Sequence, residues 1–512
     1  MADPQYLLLD PDELLPLRGH THTHHLSWDE RYAPYIQKAG MLDLARVVTS
    51  GLPPLDPALL TALVDRWRPE THTFHLPCGE MTITLEDTVM ILGLPVDGSP
   101  VIHRRTSGVT TGWFQQHFVV CPPDAGQVQV ERHARAWLWY LLACFLLPDS
   151  SGDTVDSALL PILQQPWAAI ATYSWASCTL CHMYRQLCDG CQRKENSSSI
   201  GGCLYLLRCG ARSACRSEWA FEDSRPTVLW FWRDVEVVTG RIDGRYKRYT
   251  NELDCITHRQ VEWTPYYREE IEEAELSPLC RRDEDLWRAV MPFISFVVVE
   301  YHIPTRVLRQ FGRRQVVPSH TVPTDLSLHR KRRQGRYSET DWRITHAAHT
   351  GRWDARQRVP VEAGEAHDEA YFVEYLRWLQ AHTRVSLRPT ADHRPISEVD
   401  SDEIDEYDTR TRRGVQLERA PLQDYMALPQ VEQEDWLLQR SCSPSQPRSV
   451  PGGPSSSRGR SSRRSRSSED EHDDEEEEEE DNDDDGDRGP DVLFGSQPHD
   501  APPFTQTQHN AE

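Results

Sequence analysis

Lysine is nearly missing from this sequence. Of 512 residues, only Lys38, Lys194, Lys247 and Lys331 are lysines, and each sits in polar or basic surroundings without a glycine-rich cradle beside it. A pyridoxal phosphate site needs a lysine for its Schiff base, a partner for the pyridinium nitrogen and a phosphate cradle, so that chemistry is discounted. Long hydrophobic runs are missing too. The longest, AWLWYLLACFLL at 136–147, has 12 residues, whereas a bilayer crossing takes about 20; it reads as a buried helix. The opening residues MADPQYLLLDPDELL carry no basic stretch ahead of an apolar run, so no secretory signal is expected. With 13 cysteines, an odd number, and no sign of an oxidising compartment, thiols are expected rather than a disulfide framework. No internal repeat is visible.

What is present begins with charge of one sign. The formal net charge is -24, but the 16 acidic residues between Glu469 and Asp487 leave only -8 for the rest. The part that folds therefore has no global field that attracts or excludes nucleic acid. The 16 tryptophans are a rich supply for a core. From Ser443 onward the chain is low in complexity, with an Arg-Ser tract at 458–468 ahead of the acidic run; its few apolar residues cannot offset the entropy of ordering it. The serines of that tract are candidate phosphorylation sites, and the acidic run is a candidate contact for basic partners or a competitor for a basic patch.

Between the ends, helical periodicity dominates. Residues 28–48 read as helix with a break at Gly40. In DPALLTALVDRWRPE, Asp56 is placed to cap a helix, Pro57 to begin it, and Pro69 to stop the pattern. The stretch TFHLPCGEMTITLEDTVMILGLP (73–95) reads as a short hairpin followed by a helix capped by Thr84, supported by Asp87 and ended at Gly93. Further helices are expected at 129–147, 156–173 and 175–190, with a core segment at 226–236. RDEDLWRAVMPFISFVVVEYH begins as helix and passes into a strand at FVVVEY. RVLRQFG is a short basic helix stopped by Gly312, and DWRITHAAHTGRWDARQ and EAYFVEYLRWLQAHTR supply two more. The fold expected is mainly α: a leader at 1–27, a large helical domain with a few short β-hairpins at 28–395, and a disordered tail at 396–512.

Several clusters invite chemistry. Cys178, Cys181, Cys188 and Cys191 form two C-x2-C pairs that could chelate zinc. The stretch is nevertheless helical, with Leu180, Met183, Tyr184 and Leu187 on its apolar face, so buried thiols are the favoured reading. His20, His22 and His24 belong to a polar leader. His72, His75, Cys78 and Glu80 surround the hairpin, but no orienting partner is identifiable and strand geometry sends Phe74 and His75 to opposite faces; packing is the preferred role. Glu86, Asp87 and Thr88 are poor base readers, since two carboxylates repel phosphate. The basic residues gather in Arg306, Arg309, Arg313 and Arg314 and again in Arg330, Lys331, Arg332, Arg333 and Arg336, with Tyr337 and Trp342 close by. Such a patch suits nuclear import or contact with a phosphate backbone, and the two roles are compatible.

Taken in order, LLTALVDRWRPETHTFHLPCGEMTITLEDTVMILGLPVDG (59–98), ARAWLWYLLACFLLPD (134–149), GGCLYLL (201–207), VEWTPY (261–266), IPTRVLRQFGRRQVVP (303–318) and DWRITHAAHTGRWDAR (341–356) resemble the plant mobile domain family, also called the aminotransferase-like plant mobile domain, over roughly residues 28 to 380. RCGARSACRSEWAFEDSRP (208–226) departs from the family pattern, which there continues with an aromatic, Trp-containing helix. The resemblance implies a non-enzymatic nuclear protein for meristem maintenance, genome stability and transposon silencing. It would act as a scaffold for protein partners, phosphatase-like ones among them, with no cofactor, no small-molecule substrate and no membrane. The rival expectation is a transposable-element-encoded accessory protein, or a nuclease- or transposase-like factor contacting nucleic acid, which would need an acidic metal triad or the cysteine site.

Overall fold

A computed structural model describes residues 16–19, 26–52, 54–102, 108–150, 154–193, 199–208, 240–272, 276–318, 341–356 and 364–387. The chain divides into two units, Met1–Ser445 and Gln446–Glu512, and every described residue belongs to the first. The leader histidines, the 226–236 segment, the basic run 330–336 and the tail lie outside the described residues.

The described part is mainly helical. In chain order its principal elements are α1 (Ala33–Lys38), α2 (Leu42–Ser50), α3 (Pro57–Val64), β1 (Trp67–Arg68), β2 (Thr73–Leu76), β3 (Gly79–Met81), α4 (Leu85–Leu92), α5 (Thr111–Phe118), α6 (Gln127–Leu141), α7 (Trp175–Gly190), α8 (Ile242–Asp254), β4 (Met291–Ser295), β5 (Val298–His302) and α9 (Glu369–His382). β1, β2 and β3 form an antiparallel sheet in that order, and β4–β5 is a separate hairpin. No helix among the described residues is long and apolar enough to cross a membrane.

The local signals explain most boundaries. Asp56 Oδ1 accepts from Ala58 N at 2.9 Å and Pro57 opens α3. Thr84 and Asp87 form a reciprocal capping box on α4, which Gly93 ends in the left-handed region at φ 64°, the conformation that glycine adopts without a side-chain clash. The expected helix at 129–147 is α6 running on into a buried π-helical turn, Leu142–Leu146. The expected helix at 156–173 is broken into the single turns Leu160–Leu163 and Trp167–Ile170, with Pro166 between them. MPFIS, read as the end of a helix, is instead β4: Glu284–Arg288 is only a short 3-10 turn, and Phe296, at φ 54°, reverses the chain so that Met291 faces His302. RVLRQFG is 3-10 geometry over Pro304–Phe311, kinked at Val307, and Gly312 does end it.

One apolar core runs from Leu17 to Val385, and a small satellite of Ala58, Ala62, Tyr246 and Tyr249 joins α3 to α8. α7 lies at the centre, against β4, β5 and α4, with Trp175, Leu180, Met183 and Leu187 fully buried. Each such side chain stabilises the fold by roughly 1.5–3 kcal/mol. Among the described residues nine cysteines are buried thiols outside any disulfide, as expected. Cys255 departs from that expectation, being disulfide-bonded.

Candidate functional site

The hairpin β2–β3 pairs His75 directly with Glu80. All four residues of β2 are buried, so the two faces expected to differ are both covered. Gly79 closes the turn at φ 133°, with its α-carbon against Phe372, where a Cβ would come within 3.3 Å of the ring. The partners that orient this hairpin come from far along the chain. Arg306 forks onto Glu80, Nε to Oε2 at 2.7 Å and Nη2 to Oε1. The Tyr375 hydroxyl accepts from Glu80 N at 3.2 Å. His75 meets Thr383 Oγ1 at 2.8 Å through Nδ1, and Thr71 Oγ1 at 3.2 Å and Glu80 Oε1 at 3.6 Å through Nε2.

A second charge pair lies on the far side of the β1–β2 turn. Arg185, from the middle of α7, donates through Nε to Glu300 Oε1 at 2.6 Å. His72 Nε2 stands 3.1 Å from Glu300 Oε2, while its Nδ1 lies 2.9 Å from Tyr301 O. His72 occupies the left-handed region at φ 54°, a strained position for a residue with a side chain, and these two contacts hold it there. His72, His75, Glu80, Arg185, Glu300 and Arg306 are each 2 % exposed or less.

Electrostatics follow from that burial. Desolvation holds the His75 imidazole well below its usual pKa, and Arg68, Arg306 and Arg384 push the same way, so it is neutral. Burial raises Glu80 and the Arg306 guanidinium pulls against it; the two-pronged contact makes the pair ionic. His302, behind them, is lowered to about 4, chiefly by burial. The assembly is a closed layer of matched charges. Each charged group of the layer has a protein partner, although Arg185 Nη2 and His302 Nε2 are buried without a hydrogen bond among the described residues, and the layer ties β2–β3, α7, β5, the 304–311 turn and α9 together.

The other candidates separate. Cys178 donates to Ser295 Oγ (3.3 Å), Cys181 to Phe293 O (3.2 Å) and Cys191 to Cys188 O (3.3 Å), while Cys188 Sγ accepts from Trp67 Nε1 (3.3 Å). Burial pushes Cys178 up to about 12 and Cys181 and Cys188 well above the usual thiol value. No group of three or more His, Cys, Asp or Glu suited to a metal occurs among the described residues. Arg306 does not belong to a basic surface patch, because it is buried against Glu80. Trp342 is buried as well and cannot stack on a nucleotide. Arg314 pairs with Glu365 and lies 4.2 Å over the Tyr371 ring, and Arg309 lies 5.4 Å over Trp263. Of the expected patch, Arg309, Arg313 and Arg314 remain half-buried near one another, and 330–336 lies outside the described residues. Glu86, Asp87 and Thr88 are buried.

The residues missed from sequence are Arg185, Glu300 and Thr383. Two of them left a trace: Glu300 is the lone charge in FVVVEY, and Arg185 interrupts the apolar face of α7, both marks of a buried partner.

The sequence profile of the plant mobile domain matches residues 43–117 and 103–380. Three Arabidopsis thaliana proteins are similar along most of the chain. The serine/threonine-protein phosphatase 7 long form homolog is 35 % identical over 390 residues, 67 % of this chain but 28 % of its own length. Protein MAINTENANCE OF MERISTEMS is 31 % identical over 395 residues, 70 % of this chain and 76 % of its own. Protein MAIN-LIKE 2 is 30 % identical over 408 residues, 73 % of this chain and 58 % of its own. The chain thus spans between about a quarter and three quarters of these relatives. No solved structure matches it. With the family profile covering most of the described fold, hairpin and charge layer included, the chain belongs to the plant mobile domain family.

Proposed function

We propose that the chain is a non-enzymatic nuclear scaffold of the meristem-maintenance type, holding protein partners, phosphatase-like ones among them, within one complex. The observation that carries this reading is the closed charge layer. The fold gathers histidines, carboxylates and arginines into one place and then engages them with one another inside the core, which suits rigidity rather than turnover. Exposed apolar residues at the surface, among them Trp113, Val119, Val120 and Val128, are the kind of groups that partners cover. The phosphatase in the name of one relative carries no catalysis over to this chain, which spans 28 % of that protein.

The test is proximity labelling with the full chain in plant cells, read together with turnover assays. The expected result is nuclear signal, labelled partners that include a phosphatase, and no hydrolysis of p-nitrophenyl phosphate by the purified chain. Cytoplasmic confinement, or hydrolysis that disappears in a Glu80→Gln variant shown to be folded, would overturn the reading.

A further inference from the structure

Around the 304–311 turn, arginines are matched to carboxylates. Arg306 is held by Glu80, Arg314 by Glu365 and Arg268 by Glu262. Arg309 is the exception. Its guanidinium lies over the buried rings of Trp263 and Phe372, with Cζ 5.4 and 5.9 Å from their centres. Its Nε is closed off from solvent, its Nη1 and Nη2 are open, and none of the three has a hydrogen-bond partner among the described residues. The backbone beneath is pinned, since Arg309 N donates to Gln315 Oε1 at 3.4 Å and Gly312 N to Arg309 O at 3.1 Å. Two carboxylates are near enough to act on the Arg309 charge, Glu369 and Glu262, and both are engaged elsewhere. Glu369 meets His258 at 2.8 Å and His367 at 3.3 Å, and Glu262 meets Arg268 at 3.3 Å. Shielding a cation from water without a facing anion costs free energy, and burial draws the Arg309 pKa down.

We propose that Arg309 receives an acidic side chain, aspartate or glutamate, from a partner protein and grips it end-on through Nη1 and Nη2. With Nε closed, those two nitrogens are the open prongs, and a planar fork of two N–H donors matches the two oxygens of a carboxylate. Trp263 and Phe372 restrain the guanidinium before the partner arrives, so less side-chain freedom is lost on binding. The surroundings admit one added negative charge better than several. The side chains of Glu369 and Glu262 are 50 % and 31 % exposed, and they repel a phosphorylated side chain, with up to about two charges, or a rail of backbone phosphates more than a lone carboxylate. The inference rests on the interaction reading above and supplies the chemistry of the partner.

The experiment is calorimetric titration of the full chain with acetyl-Ala-Ala-Glu-Ala-Ala-amide, with its glutamine and phosphoserine counterparts, with sodium acetate and with a short DNA duplex. The glutamate peptide should bind at least about tenfold more tightly than the glutamine peptide. Arg309→Met, which keeps a stem on the rings and removes the fork, should erase that preference. Arg309→Lys, which keeps the charge as a point, should retain only part of it and provides a second test should the methionine variant fail to fold. Equal affinity for the glutamate and glutamine peptides, an undiminished preference in either folded variant, or no binding of any probe would each overturn the proposal. Tighter binding of the phosphoserine peptide, or DNA binding that depends on Arg309, would assign the fork to phosphate and overturn the acidic side chain. Acetate binding as tightly as the glutamate peptide would assign it to a free carboxylate and overturn the protein partner. The scaffold reading fails separately, if the chain is confined to the cytoplasm while the glutamate peptide still binds through Arg309.

Discussion

Two helices are docked in this molecule by opposite means. α7 lies in the continuous core, its contacts made by Leu180, Met183, Leu187 and the thiols of Cys178 and Cys181, with a single charge pair, Arg185–Glu300, sealed in the middle. α8 is a polar helix laid on the almost wholly apolar α3, and aspartates hold it at both ends. Asp56 accepts from Arg245 at 2.9 Å and from the Tyr249 hydroxyl at 2.8 Å, Asp65 accepts from the Tyr246 hydroxyl at 2.7 Å, and Asp254 pairs with Arg66. Apolar burial there comes from the small satellite of Ala58, Ala62, Tyr246 and Tyr249, with Leu59, Ile242 and Leu253 partly buried against it. Charge buried inside an apolar shell makes a region intolerant of losing one partner. The α8 charges are buried too, Arg66 and Asp254 as deeply as Arg185 and Glu300, but they have a much smaller apolar cluster behind them, and a junction held chiefly by polar contacts is the one expected to open alone.

The sharpest way to break this contrast is at the hairpin. Arg306→Ala strands Glu80 in the core and should destabilise the protein by about 3–5 kcal/mol, read as a lowered urea midpoint at unchanged slope. The double variant Glu80→Leu with Arg306→Met, which removes both charges, should recover most of that loss. A single variant no worse than a surface substitution would mean that the layer is not what fastens α9 and the 304–311 turn to the hairpin.

Glu86, at the edge of the same region, gives a pH signature. Its folded pKa is raised from the ordinary 4.5 to about 8 by burial, then by Asp87. Between those values the unfolded chain gives up the proton and the folded chain keeps it. The folded state therefore binds more protons, and stability falls as pH rises from about 4.5 to about 8, by at most ~1.4 kcal/mol per pH unit. Glu86→Gln should flatten that slope in part, since Asp87 is shifted in the same direction. An unchanged slope would show that the Glu86 carboxyl ionises in the folded protein much as it does in the unfolded chain.

At the other docking, Asp56→Ala removes the cap of α3, worth about 1 kcal/mol, and two side-chain bonds to α8. A total near 2 kcal/mol is expected. The distinguishing readout is hydrogen exchange. Amides of α8 should exchange faster while those of α7 keep their protection. Equal loss in both helices would make the molecule one cooperative block and erase the distinction.

The same contrast governs what could be read from sequence. α3, α4, α7 and α9 are legible because each carries its own instructions: Asp56 and Pro57, the Thr84–Asp87 box, an apolar stripe through 175–190, and the amphipathic pattern of EAYFVEYLRWLQAHTR, to which the structure adds Asp368 accepting from the amides that open α9. β4 was not legible, because MPFIS is short and apolar and its strand character comes from pairing with β5. The charge layer was invisible for a related reason. Glu80 and Arg306 are separated by more than 200 positions, as are His75 and Thr383, and no local pattern links them. The sequence displays each half of a pair without its mate: Arg306 stands among basic neighbours, and His75 shows no orienting partner nearby.

The smallest effect is expected outside both regions and tests what is left of the basic patch. Arg314 stacks on half-exposed Tyr371 and pairs with Glu365, whose side chain is 69 % exposed. A contact so open to water is screened, and Arg314→Ala should change stability by no more than about 0.5 kcal/mol. That mildness makes it useful, because binding can be measured without a folding defect. If Arg309, Arg313 and Arg314 meet a phosphate backbone, replacing Arg314 should weaken binding to duplex DNA evenly across sequences and reduce the salt slope by about one ion. An unaltered slope would leave Arg314 as a brace for Tyr371 at the start of α9 and remove it from any nucleic-acid contact.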